Sequence, residues 1–196
     1  MLRRLAPVLA VALGVSLSAG CADDVAPAAR VGDRTITHDE LIAEVEEWAG
    51  NDRSPRATEL ATSASPAGYP ITPVGGILQE RILLEILEPA FDELGLELTP
   101  DAREQALGLL GVEPGQEAVL FEAFSTEYID DYLESYAKGI AVQAELGEEA
   151  FLDLLQERAR DVEVNPRYGG WDAEQLTVLP PEGPRPAPAP IVAPVL

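Results

Sequence analysis

Cysteine, histidine and lysine each occur once in this chain of 196 residues, at Cys21, His38 and Lys138. A single cysteine allows no disulfide within the chain, so a folded domain must be held by its apolar core. Without Cys/His pairs there is no zinc motif either, and neither a phosphate-binding glycine loop nor a nucleophile elbow is present. His38 has no partners that would make it a metal ligand or a general base. Positive charge is scarce. Against 35 acidic side chains stand 13 basic ones, a net charge of −22. Nucleic-acid binding, which needs a basic patch against the phosphates, is thereby disfavoured. Long apolar runs are also missing: the stretch from Leu5 to Gly20 is shorter than the roughly 20 residues of a membrane span. The 46% of hydrophobic residues is still enough for a packed globular fold.

What is present begins at the N-terminus. A basic tip, Met1-Leu2-Arg3-Arg4, precedes an uncharged apolar run and the small residues Ser18-Ala19-Gly20, and Cys21 follows. Basic, apolar and small-residue regions in that order form a secretory signal peptide. With a lone cysteine directly after the small residues, the segment resembles a bacterial lipoprotein signal, although Ser18 stands where a leucine is usual. The resemblance implies that Cys21 carries the lipid, diacylglycerol with palmitate, and begins the mature protein. An ordinary secretory leader cut near Ala19 or Ala22 is the alternative. Arg3-Arg4 leaves both general secretory and twin-arginine export open. Loss of residues 1–20 removes two of the 13 basic residues and no acid, leaving 11 against 35, a net charge of about −24. A surface this acidic repels anionic headgroups, so attachment to the outer face of the cytoplasmic membrane rests on the acyl chains. The chain then divides into a leader (1–20), a linker (21–29), a domain (30–176) and a proline-rich, unpacked tail (177–196).

Periodicity within the domain predicts a mostly α fold. A short strand over 31–36 turns at Gly32-Asp33, and Thr37-His38-Asp39-Glu40 has the form of a capping box that opens a helix to Ala49. The stretch 50–69, dense in Ser, Thr, Pro and Ala, reads as a loop. Over 74–94 a wide apolar arc carries one polar stripe, Arg81, Glu85, Glu88 and Asp92, which predicts a helix buried on most sides. Pro89 within it predicts a kink or break. Thr99-Pro100 opens a helix to about Leu110. A further helix covers 116–146, with Ser125 as a capping restart and Gly147 as its stop. Another follows over 148–160, and then a strand over 162–164.

Two separated segments carry a second resemblance. Val31-Gly32-Asp33-Arg34-Thr35-Ile36-Thr37-His38-Asp39-Glu40-Leu41 resembles the opening of the N-terminal domain of SurA and PrsA type extracytoplasmic chaperones. Val162-Glu163-Val164-Asn165-Pro166-Arg167-Tyr168-Gly169-Gly170-Trp171-Asp172 is similar to the segment that closes it. The resemblance implies a helical chaperone domain whose first strand (31–36) pairs with its last (162–164). It also implies a protein that binds unfolded or newly exported polypeptides. Too few residues follow Trp171 to build a parvulin domain, so prolyl isomerase activity, and enzyme activity in general, is not expected, nor is a cofactor or metal. The alternative is a non-catalytic lipoprotein that recognises one specific partner in the cell envelope. The oligomeric state is left open.

A polypeptide-binding surface needs accessible apolar groups and enough charge for solubility. The candidate is the stripe Phe121, Phe124, Tyr128, Tyr132 and Tyr136, interleaved with Glu127, Asp130, Asp131 and Glu134. The same spacing equally fits packing against the helix over 74–94. The acidic pairs Asp23-Asp24, Asp130-Asp131 and Glu148-Glu149 lack calcium-loop spacing and read as solvated faces. Tyr168 and Trp171 are expected to plug the closing turn onto the domain.

Overall fold

The computed structural model describes residues 26–52, 55–62, 71–109, 122 and 124–181. Cys21, the leader, Phe121 and the chain from residue 182 lie outside them. The chain enters through a hairpin, β1 (Ala29–Val31) and β2 (Arg34–Ile36), paired antiparallel from Ala29↔Ile36 to Val31↔Arg34. Thr37 then caps α1 (His38–Gly50): its hydroxyl accepts from the Glu40 amide at 3.2 Å, and the Glu40 carboxylate accepts from the Thr37 amide at 2.7 Å. This is the reciprocal pattern expected from Thr37-x-x-Glu40. Leu41, Val45 and Trp48 are buried along one face of α1.

Within the stretch read as a loop lies a helix, α2 (Pro55–Thr62). It starts on a proline, which costs a helix nothing at its first position. Ala57 and Leu60, three residues apart, turn inward. Ala57 and Leu60 by themselves do not make a period that stands out in the sequence, so this element owes its existence to the core beneath it.

The longest element, α3 (Ile71–Glu93), runs through Pro89 without a break. A mid-helix proline costs ~3 kcal/mol, but Ile86, Leu87, Ala90 and Phe91 are all buried around it. Burial of several large side chains, at ~1.5–3 kcal/mol each, outweighs the lost hydrogen bond. Gly95, at φ 63°, ends the helix: its amide donates to Asp92 O at 3.0 Å, and that of Leu96 to Phe91 O at 3.2 Å. These two bonds form a Schellman cap.

After α3 the Thr99 hydroxyl accepts from the Ala102 amide at 3.2 Å and opens α4 (Pro100–Leu109). Ser125 caps α5 (Thr126–Leu146), and Gly147 separates it from α6 (Glu148–Arg158). The restart at Ser125 and the stop at Gly147 are therefore as the sequence predicts; residues 110–121 and 123 lie outside the described part. A single 3₁₀ turn (Ala159–Asp161) leads from α6 into β3 (Val162–Val164). Strand β1 is the centre of a sheet ordered β2-β1-β3, with Ala29 opposite Val164 and Val31 opposite Val162. The partner of 162–164 is therefore Ala29–Val31 and not the whole of 31–36, which folds back at Gly32-Asp33, and the domain begins within the expected linker, where Ala28 and Ala29 are buried. The first and last thirds of the chain are thus tied together beside the helices.

Past this sheet the chain departs from expectation. Residues 177–179, assigned to the tail, form β5 (Thr177–Leu179), which pairs antiparallel with β4 (Gly170–Asp172). The ordered unit therefore reaches beyond 176, because β5 finds both a strand and the side of α3 to pack on. Gly169 admits this approach. At φ 133° it faces the Leu179 carbonyl so closely that a Cβ would lie 1.9 Å from that oxygen.

Tyr168 and Trp171 hold the closing turn as plugs. Tyr168 is buried, and its hydroxyl meets Nδ1 of His38. Trp171 packs on the core, and its indole N–H donates to Ala159 O at 2.8 Å. Replacing Trp171 by Ala removes a half-buried ring and is expected to cost about 2 kcal/mol. Trp171→Phe keeps most of the apolar area and loses the hydrogen bond, for about 1 kcal/mol. Thermal melts should show these as drops of roughly 4–8 °C and 2–4 °C.

Candidate functional site

The aromatic stripe of α5 faces inward. Phe124 and Tyr132 are buried, and Tyr128 and Tyr136 are partly so. Successive rings meet along the helix, Tyr128 and Tyr132 stacked with centroids 5.6 Å apart, and the pairs Phe124–Tyr128 and Tyr132–Tyr136 tilted at 5.5 and 4.8 Å. Trp48 of α1 meets this ladder edge-on, 5.0 Å from Phe124 and 5.8 Å from Tyr132. Of the two arrangements that the spacing allows, the structure has the packed one, with α1 joining α3 as the surface it packs on.

Two carboxylates receive the phenols. Glu80 of α3 accepts hydrogen bonds from the hydroxyls of both Tyr132 and Tyr136 and pairs with the Arg56 guanidinium of α2. That guanidinium also lies over the Trp48 ring, 4.3 Å from its centroid, a favourable cation–π position. Glu44 of α1 accepts from the Tyr128 hydroxyl at 3.3 Å. Four helices therefore meet on a polar junction inside an apolar shell. Beside it, Glu47 accepts from both the amide and the hydroxyl of Ser125, at 3.0 and 2.5 Å, and joins α1 to the cap of α5.

Burial governs the charge states. Desolvation, reinforced by the adjacent carboxylates, pushes the Tyr128, Tyr132 and Tyr136 hydroxyls well above the usual phenol range, so they stay protonated and can donate to the carboxylates. Burial, the largest single effect, tends to lower the pKa of Arg56, but the charge and hydrogen bond of Glu80 together with the neighbouring Tyr132 and Tyr136 raise it on balance. Glu44, with 9% of its surface exposed, is pushed up from 4.5 to about 7. Burial is the main cause and Glu80 adds to it, while Arg81, Tyr128 and Arg56 oppose.

This set can donate hydrogen bonds, hold a cation–carboxylate pair and take up one proton near neutral pH. The other candidate residues lie apart from it. His38 is engaged with Tyr168 at the closing turn. Asp130 pairs with Arg103 at 2.6 Å, and Glu134 with Lys138 at 2.9 Å. Among the described residues no group of three or more His, Cys, Asp or Glu side chains is placed to hold a metal, and no helix is long and apolar enough to cross a membrane.

Sequence reasoning missed Glu44, Glu80 and Arg56. A signal existed for the first two. Glu44 shares a helical face with Leu41, Val45 and Trp48, and Glu80 stands off the polar stripe of α3. An acid on an apolar face is either paired or protonated. Arg56 gave no signal, since it lies in the stretch read as a loop.

Because the folded pKa of Glu44 exceeds the unfolded one, the native state holds the extra proton between about pH 4.5 and 7. Its contribution is thus fully present below pH 4.5 and is lost as the pH rises through 7. Glu44→Gln should stabilise the domain at pH 8 by roughly 3 kcal/mol at most, and by little at pH 4.5. Urea denaturation of both proteins at the two pH values isolates this difference from the general effect of acid on so anionic a chain.

Comparison of the chain with family models, curated proteins and solved structures gives no match.

Proposed function

We propose that this chain is a lipid-anchored extracytoplasmic protein of chaperone type, which binds unfolded or newly exported polypeptides without prolyl isomerase activity. The observation that carries this reading is the closure of a helical domain by its own ends. Val31, the first residue of the segment that resembles the opening motif of SurA and PrsA type domains, lies opposite Val162, the first residue of the segment that resembles the closing one, and the rest of β1 precedes it. The lipoprotein-like leader ahead of Cys21 supports an exported, membrane-attached location.

With the aromatic stripe inside, contact with clients falls to apolar groups at the surface. Leu94 and Leu98 flank the α3–α4 connection, Leu109 ends α4 with 67% of its surface exposed, and Leu152 lies on α6. Acidic residues around these leucines keep a loaded complex soluble. These leucines stand singly, as on most protein surfaces, so contact with any one client is weak. Burial of the stripe also favours a second reading, a non-catalytic module for one folded partner in the cell envelope.

Client breadth separates the two. A mature chain beginning at residue 21, with Cys21→Ser for solubility, should suppress light scattering by several unrelated refolding proteins at near-stoichiometric ratios, with proline-limited refolding rates unchanged. Failure with every client would leave the single-partner reading. The anchor has its own test. The chain expressed in cells should partition into detergent, and a Cys21→Ala variant should lose both partitioning and processing; unchanged partitioning would remove the lipid from the proposal.

A further inference from the structure

The face of α3 under β5 has the features of a site for an extended chain. At Gly75 the helix presents no side chain, and Val178 of β5 occupies the space, its Cγ1 3.6 Å from where a Cβ would stand. One turn further along the same face, Gln79 Oε1 accepts from the Thr177 hydroxyl at 2.7 Å and from the Val178 amide at 3.2 Å. On the other side β4 supplies a strand edge, paired from Gly170↔Leu179 to Asp172↔Thr177. A notch for one apolar side chain, a side-chain acceptor for a backbone amide and a strand edge to pair with are what recognition by strand addition uses. None of the three depends on much of the bound sequence.

The present occupant is lightly held. Strand β5 has three residues, Leu179 is exposed, and the turn before it puts Leu176 at φ 53°. A side chain in that left-handed region costs roughly 1–2 kcal/mol. By contrast β4 is fixed independently, through Trp171 to Ala159 O.

We infer that the groove between α3 and β4 is an acceptor site for an extended polypeptide strand, filled at rest by Thr177–Leu179, and that a client segment enters by taking the place of that strand. The identity of the occupant as a client rests on the proposed function; the groove itself does not. A β-branched or similar apolar residue preceded by a hydroxyl-bearing one fits the notch and Gln79 best.

The test uses the chain from residue 21 with Cys21→Ser, Gly170→Cys and Leu179→Cys, opposite each other in the ladder and outside the notch, so that oxidation locks β5 onto β4. One probe is a fluorescent peptide of residues 173–181; the other is reduced, carboxymethylated lactalbumin. The peptide should bind the reduced protein and bind the oxidised protein at least tenfold more weakly. Equal binding to both forms, or none to the reduced form, overturns the groove. Lactalbumin should follow the same pattern. Should it bind neither form while the peptide binds the reduced one, the groove stands and the chaperone reading fails; should it bind both equally, clients dock elsewhere and the displacement is wrong. Gly75→Leu, which fills the notch without a disulfide, should likewise weaken peptide binding at least tenfold while the circular dichroism of the helices is retained; peptide binding within twofold of the parent would overturn the notch. In the parent protein the Val178 amide should exchange hydrogen at least tenfold faster than the amides of Ile129 to Val142. Equal protection would show that β5 leaves only on global unfolding and would overturn the exchange.

Discussion

A carboxylate withdrawn from water costs several kcal/mol unless its lone pairs and charge are met, and Glu80 imposes that condition on four helices at once. Tyr132 and Tyr136 supply two hydroxyl donors from α5, and Arg56 supplies the opposite charge from α2. To reach Glu80, Arg56 crosses the face of Trp48 on α1. Each partner is fixed by the next, so the directions of α1, α2 and α5 relative to α3 follow from satisfying one group. Glu44 shows the same physics with weaker compensation. Burial outweighs the opposing effects of Arg81, Arg56 and a single hydroxyl bond at 3.3 Å, and its charged form is disfavoured. The difference between the two acids lies in their neighbours, not in depth alone.

The same junction explains which features were legible in the sequence. Signals that act over one turn were read correctly: the capping box at Thr37, proline after Thr99, the restart at Ser125 and the stop at Gly147 all bound helices where expected. The mostly helical fold with a small antiparallel sheet was legible for the same reason. Features that depend on distant partners were not. α2 is held by Leu60 in the core and by Arg56 on Glu80, neither of which is visible within its eight residues. The helix through Pro89 continues because buried neighbours on both sides outweigh a local penalty. The direction of the tyrosine stripe could not be read from spacing, since a helix with aromatics at every fourth residue has the same pattern whether those rings meet solvent or a carboxylate.

The edge of the fold follows from the size of its strands. With three residues each, neither sheet is stable by itself. β1 is safe, since it is paired on both sides and packed on α3. β5 has one strand neighbour, and what holds it is a short ladder, the two bonds to Gln79, the contact at Gly75 and the partial burial of Val178 against the core. Each hydrogen bond contributes about 1 kcal/mol net, and the left-handed Leu176 offsets one or two of them. A whole domain of this size is held by ~5–15 kcal/mol. Release of β5 leaves the aromatic ladder, the Glu80 junction and the β1–β3 closure in place, so it requires only a fraction of the global free energy. The strain at Leu176 thus acts in one direction. It weakens the resident strand and not the groove, and any incoming strand that lacks such a turn starts with the advantage of that difference.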